Sequence, residues 1–161
     1  MQEETSYMGC KKEVTVRNAN VLDISAIIFI LHSWTLESPF KEYGHVTSAT
    51  GVWVADMIKN QMFIVAEYDD KIIGTACISK NTYPWDDTTA ILDVDFINVL
   101  KDYRRTGAGI KIMERLKEIS RNTKTPMSLG IIHGIEVEKK DRFMTINGFV
   151  FTGGNYLYRG D

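Results

Sequence analysis

The sequence predicts a mixed α/β single domain whose central sheet combines antiparallel and parallel strands and is flanked by helices. Three observations predict it. In "MFIVAEYDDKIIGTACISK", two β-rich runs flank Asp69-Asp70, a two-residue turn of the kind that joins antiparallel strands. An apolar strand, "TAILDVDFINVL", leads through a glycine-containing turn into a stretch with helical periodicity, "GAGIKIMERLKEISRN". Further strands and helices alternate along 161 residues, a length that fits one domain able to bury a core without disulfides or metal.

Taken in order, "VTVRNA" alternates valine with polar residues and predicts a first strand at residues 14 to 17. Asn20 can cap a helix that carries Ile24, Ile27, Ile28 and Leu31 on one side. "HSWTLESPFKEYGHVTSATG", rich in Ser, Thr and Gly with Pro39, reads as a long irregular loop, and "VWVADMIKNQ" as a short helix. After the hairpin, "NTYPWDD" reads as a loop before the strand "TAILDVDFINVL". The next helix places Ile112, Met113, Leu116 and Ile119 at helical spacing. "PMSLGIIHG" is a short buried strand, and "VEKKDRFMTING" a helix closed by Gly148. "FVFTGGNYLYRG" reads as a final hairpin around Gly153-Gly154. The predicted order is β-α-α-β-β-β-α-β-α-β-β, a domain over 14–161 preceded by an N-terminal extension over 1–13, with no repeat and no linker.

Composition narrows the function class. A hydrophobic share of 44% with only 3 prolines is that of a folded, not a low-complexity, chain. A formal net charge of −2 argues against a broad nucleic-acid-binding surface. Cys10 and Cys77 lie far apart, the pattern of a reduced protein more than of a disulfide framework. The start is polar and acidic, without the apolar core of a signal peptide, and "ISAIIFILHSW" is too short to span a membrane. A soluble cytoplasmic protein is expected, with no membrane or nucleic-acid partner. His32, His45 and His133 show no spacing suited to a metal site, so none is expected.

The stretch that bears chemistry is "YRRTGAG", residues 103 to 109, between strand and helix. The first N–H groups of a helix lack intrahelical partners and sit at the positive end of its dipole. Glycines there strip away side chains and let a phosphate approach the backbone, and Arg104 and Arg105 add positive charge. The spacing, Arg-x-x-Gly-x-Gly, is neither a P-loop nor a dinucleotide fingerprint. Taken alone it is as compatible with a plain structural turn as with a pyrophosphate cradle.

With its flanks included, the stretch resembles the GNAT superfamily of N-acetyltransferases. The strand "DVDFINV" followed by Arg104, Gly107 and Gly109 is similar to that family's signature, and the element order resembles its fold over about residues 14 to 158. The ending "IIHGIEVEKKDRFMTINGFVFTGGNYLYRG", with "WTLESPFKEY" near the first helix, further resembles a subgroup often encoded by bacteriophages, which places the protein in the host cytoplasm. The resemblance implies acetyl-CoA as co-substrate, its pyrophosphate on the turn formed by Arg104, Arg105, Thr106, Gly107, Ala108 and Gly109. It implies that the backbone of Ile97, Asn98 and Val99 meets the pantetheine arm. A backbone N–H at a strand bulge near Val99 is then the expected oxyanion donor. The chain departs from the family pattern at Lys101, where many members have proline, and at Met144, where many have a tyrosine acid.

The acceptor must be deprotonated, because an alkylamine is almost wholly charged at neutral pH. Asp93 holds the position where the family often has its acidic base, and Asp95 lies two residues on, on the same strand face. With Met144 unable to protonate the leaving thiolate, Tyr156, Tyr158 and Tyr103 are the candidates, Tyr156 first. Cys77 reads as a small buried hydrophobe. Trp34 to Trp53, with Glu37, Phe40, Glu42, Tyr43 and His45, forms the expected acceptor side. The implied function is transfer of an acetyl group to a primary amine, of a small molecule or a protein, by direct attack in a ternary complex. The alternative is a non-catalytic acyl-CoA-binding module acting through protein contacts; a nucleotide-binding domain is a third reading. An exposed final strand is a possible surface for a homodimer.

Overall fold

A computed structural model describes residues 13–38, 41–42, 46–130 and 136–153. Asn20 starts the first helical segment: its side chain accepts the Leu22 N–H at 2.9 Å, and Asp23 reciprocates on the Asn20 N–H at 2.8 Å. That capping box opens a 3-10 turn, Val21–Asp23, which runs into α1, Ile24–Glu37. Helix α2 is Ser48–Lys59. The strands are β1 (Thr15–Asn18), β2 (Phe63–Tyr68), β3 (Lys71–Tyr83), β4 (Asp86–Val99) and β5 (Met127–Leu129). Helix α3, Ala108–Thr123, joins β4 to β5, and α4, Val137–Ile146, follows β5.

The five strands lie in sequence order, β1 to β4 antiparallel and β4 to β5 parallel. The β2–β3 turn is tight because Asp69 and Asp70 both take left-handed backbone, φ +54° and +60°, which matches the strand twist. Two apolar clusters cover the two faces. Ile64, Ile73, Ala76, Leu92, Val94 and Val99 pack with Ile112, Met113 and Leu116 of α3. On the other face Phe63, Val65, Cys77 and Phe96 pack with Ile27, Leu31, Val54 and Ile58 of α1 and α2. Cys77 is fully buried, as expected, and burial followed by the nearby Asp95 pushes its thiol pKa well up, so it stays a neutral hydrophobe.

Three expectations are corrected. His32 to Glu37, expected in a loop, continue α1, because Leu31 and Trp34 keep the helical spacing that seals the cluster around Phe96. "NTYPWDD" is no loop: β3 and β4 extend to Tyr83 and Asp86, leaving only Pro84 and Trp85 to turn. Asp86 stabilises that turn by accepting the N–H and hydroxyl of Thr88 and the N–H of Thr89, while Tyr83 and Trp85 stack at 5.2 Å. Among the described residues, Phe149–Gly153 form no strand, so the first half of the expected final hairpin is absent, and 154–161 lie outside them. The extension over 1–12, with Cys10, also lies outside them.

Candidate active site

The site begins with a fault in β4. Ile78 pairs with Val94 and Cys77 with Phe96, leaving Asp95 as the extra residue of a bulge. Leu92 and Val94 therefore face the α3 side, whereas Phe96 faces α1 and α2. Pairing with β5 ends at the same place, with Val94 opposite Leu129. Alongside the next residues of β4, from Asp95 to Val99, a cavity opens.

Hydrogen bonds fix which groups line the opening. Leu100 donates its N–H to the Ile73 carbonyl on β3, so by strand alternation Asn98 also turns its backbone groups to β3. Ile97 and Val99 must turn theirs the other way, away from β3. The Val99 carbonyl confirms the direction by accepting Arg104 Nε at 3.0 Å. The expected bulge near Val99 lies instead at Asp95, four residues earlier, while the Val99 N–H still turns away from β3. Asn98 is buried on the opposite face, its amide 3.4 Å from the Ile30 carbonyl.

The cavity is a cleft of about 280 Å³. Its walls are Trp34 and Glu37 of α1, Asp95 to Val99 of β4, and Arg104 from the turn beyond. Leu129 and Gly130 of β5 and Glu136, Lys140, Phe143 and Met144 of α4 complete it. Lys140 was not singled out from the sequence, whereas Glu37 was named on the expected acceptor side and Met144 as the residue standing in place of a tyrosine. Glu37 fell in a segment read as loop, and Lys140 showed only as one charge in a solvated-looking helix. Its position four residues before Met144, on the same helical face, was the available signal. Withdrawal from water, then the Arg104 cation, lower the Lys140 pKa against the opposing pull of Glu136 and Glu37.

Beyond Arg104, which borders the cleft, the chain makes the glycine turn that starts α3. Gly107 is the N-cap of α3 at φ +86°, a conformation that disfavours any side chain. A Cβ placed on Gly107 or Gly109 would meet nothing within 4 Å, so the space above the turn is open. The first intrahelical bond runs from Lys111 N–H to Gly107 O, which leaves the amides of Gly109 and Ile110 ahead of it to face that space. Thr106 Oγ1 donates to Tyr103 O at 2.7 Å and lies 3.4 Å from the Ala108 N–H, pinning the turn. Arg105 is exposed, whereas Arg104 reaches back to Glu37 at 2.5 Å.

The two aspartates share a sheet face, as the spacing implied. Asp93 accepts Asn81 Nδ2 at 2.8 Å and the Ser128 hydroxyl, and it does not border the cleft. Asp95, held by Ser79 Oγ at 2.7 Å, does. Met144 lines the cleft as a thioether with no proton to give. Tyr103 packs edge-on to Tyr68 at 6.3 Å in the α3-side cluster. Tyr156, Tyr158, Phe40, Tyr43, His45 and His133 lie outside the described residues. Among the described residues no group of His, Cys, Asp and Glu is placed to hold a metal ion, and no helix is long and apolar enough to cross a membrane.

A bulged strand beside a cleft, followed by a glycine-capped helix start, is the geometry of the candidate site. The chain belongs to the acetyltransferase (GNAT) family, whose model matches residues 29–136. It is similar in fold to a possible acetyltransferase from Clostridium difficile 630, with a TM-score of 0.67, 16% identity, and 91% of this chain and 97% of that one covered. It is similar also to the aminoglycoside N-acetyltransferase AAC(6')-Iy, solved with a bisubstrate analogue of CoA and acetylneamine. There the TM-score is 0.65 at 15% identity, covering 92% of this chain and 99% of that one. A ribosomal-protein-alanine N-acetyltransferase from Brucella melitensis biovar Abortus 2308 gives 0.66 at 13% identity, with 92% and 99% covered. No curated protein sequence matches the chain.

Proposed function

We propose that the protein transfers an acetyl group from acetyl-CoA to a primary amine by direct attack in a ternary complex. The observation that carries this is the set of backbone groups at Ile97 and Val99 turned away from β3 beside the cleft, followed by the open turn at Gly107–Gly109. The turn receives the pyrophosphate through the α3 amides, with Arg105 alongside, and the strand edge pairs with the pantetheine amides. The thioester then lies near Val99, whose N–H receives the developing oxyanion.

The acceptor approaches from the α1 side, where Glu37 and Asp95 border the cleft with Trp34. Carboxylates beside an aromatic face suit a cationic amine, and a small-molecule amine is in keeping with the aminoglycoside N-acetyltransferase of similar fold. The Asp93–Asp95 pair supplies the base. Asp95, at the bulge and on the cleft wall, takes the proton, and Asp93, tied to Asn81 and Ser128, stands behind it on the same face. Tyr156 is assigned the return of a proton to the CoA thiolate. On sequence alone, the reading extends to the bacteriophage-encoded subgroup and the host cytoplasm.

The test is acetyl-CoA titration by calorimetry, followed by thiol release across a panel of polyamines, aminoglycosides and peptide N-termini. Saturable binding with turnover on one amine class supports the proposal. Binding without turnover on any of them favours the non-catalytic acyl-CoA module, and absence of binding ends both readings.

A further inference from the structure

The cleft has an amine in its own wall. Lys140 projects from α4 one turn before Met144, and both border the cavity that Ile97 and Val99 line from β4. Among the described residues, the charges that act on it are Arg104 from the turn beyond β4, Glu136 at the start of its own helix and Glu37 from α1, with Asp95 of β4 on the same cleft wall. Partial burial and the Arg104 cation favour the neutral amine at this position, with Glu136 and Glu37 opposing. Its sequence neighbour makes the contrast. Lys139 points to solvent, its side chain 78% exposed.

We propose that Lys140 is an internal acyl acceptor, modified by the thioester that occupies the same cleft. The inference rests on the acyl-CoA reading of that cleft. In the step, the neutral Nζ attacks the thioester carbonyl carbon, a C–N bond forms, and the C–S bond breaks. The proton lost by the nitrogen passes to the departing thiolate, so that acetyl-CoA and lysine give acetyl-lysine and the free thiol. The product removes a cation from beside Glu37, Glu136 and Arg104 and leaves an acyl group standing in the cleft. Self-modification therefore weakens the next round of cofactor binding.

The experiment incubates the full chain with acetyl-CoA alone and follows acetylation by intact mass and peptide mapping. Acetyl phosphate, which lacks the CoA moiety, serves as a second donor, and calorimetry measures acetyl-CoA binding in parallel. The expected result is one acetyl group on Lys140, with a rate that saturates in acetyl-CoA and exceeds that of Lys139 by well over about tenfold, as proximity dictates. Acetyl phosphate should show no such preference. Lys140→Arg should take up no acetyl group on that peptide. Acetyl-CoA binding with Lys140 unmodified, or modified no faster than Lys139, overturns the inference and leaves the proposed function standing. No binding of acetyl-CoA overturns both.

Discussion

Arg104 donates through Nη2 to Glu37 at 2.5 Å and through Nε to the Val99 carbonyl at 3.0 Å. The arginine of the glycine turn therefore points back along the cleft, joining the end of β4 to α1, instead of forward over the turn. Its role is to hold the strand edge and the acceptor-side helix in register. With the arginine side chain 43% exposed, the pair is screened, and about 1 kcal/mol is a fair estimate for its contribution. Arg104→Ala should weaken acetyl-CoA binding by about fivefold and lower the thermal midpoint slightly. Calorimetry on Arg104→Ala and Arg105→Ala tests it. Unchanged affinity in the former reverses the assignment.

Gly109 separates a folding role from a binding role. A Cβ there meets nothing within 4 Å, and the residue lies in the first turn of α3 with φ outside the positive range. Gly109→Val should leave thermal stability within about 1 kcal/mol of the parent, the span of helix propensities. Its branched side chain would nevertheless fill the space a phosphate needs. Acetyl-CoA affinity should fall by at least about tenfold, equivalent to about 1.4 kcal/mol. Normal affinity in a normally folded variant would show that the phosphate lies elsewhere.

Asp93 and Asp95 differ in access, which gives the base assignment a direct comparison. Asp95→Asn removes the carboxylate on the cleft wall, and general-base loss costs about a hundredfold or more in turnover. Asp93→Asn alters a side chain already engaged by Asn81 and Ser128, so a smaller decrease is expected. Neither should change acetyl-CoA affinity much. Once an acceptor amine is in hand, kcat at saturating acetyl-CoA decides the matter. A larger loss in Asp93→Asn returns the role to that residue.

Most of the fold was legible because it rests on local patterns: the Asp69-Asp70 turn, the spacing of Ile112, Met113 and Leu116, and the Gly148 stop after α4. The glycine turn of the candidate site was legible for the same reason, since a strand, an arginine-glycine turn and a helix are contiguous. The rest of the cleft wall was legible only in part. Glu37 was named but read in a loop, 67 residues from the Arg104 it meets, and Lys140 was missed because only tertiary packing turns its face of α4 toward the cleft. The bulge at Asp95 was equally hidden, because a residue added to one strand shows only against its partner, Ile78 after Cys77. The length of the β3–β4 hairpin was missed because Pro84 lent its surroundings the composition of a loop.

Stability at acid pH should be governed in part by Asp23. This carboxylate is buried, accepts Arg17 Nη1 at 2.7 Å and Nη2 at 3.0 Å, and also accepts the Asn20 N–H at 2.8 Å. Arg17 extends the link to Glu67 at 3.1 Å, so one network ties β1, the start of α1 and β2 together. The Arg17 guanidinium, more than any other neighbour, holds the Asp23 pKa below its ordinary value. The folded protein thus binds fewer protons at this site than the unfolded chain, whose Asp titrates near about 3.9. Stability from the network is complete above that pH and declines as pH falls through the lower folded-state pKa. Asp23→Asn should cost about 2 kcal/mol at neutral pH, since it leaves the buried end of a charged hydrogen bond without its partner's charge. Urea unfolding at a series of pH values should show the gap between variant and parent narrowing below about pH 4, where the parent itself loses the interaction. A gap that stays constant down to strongly acid pH would mean that the substitution acts through packing and not through charge.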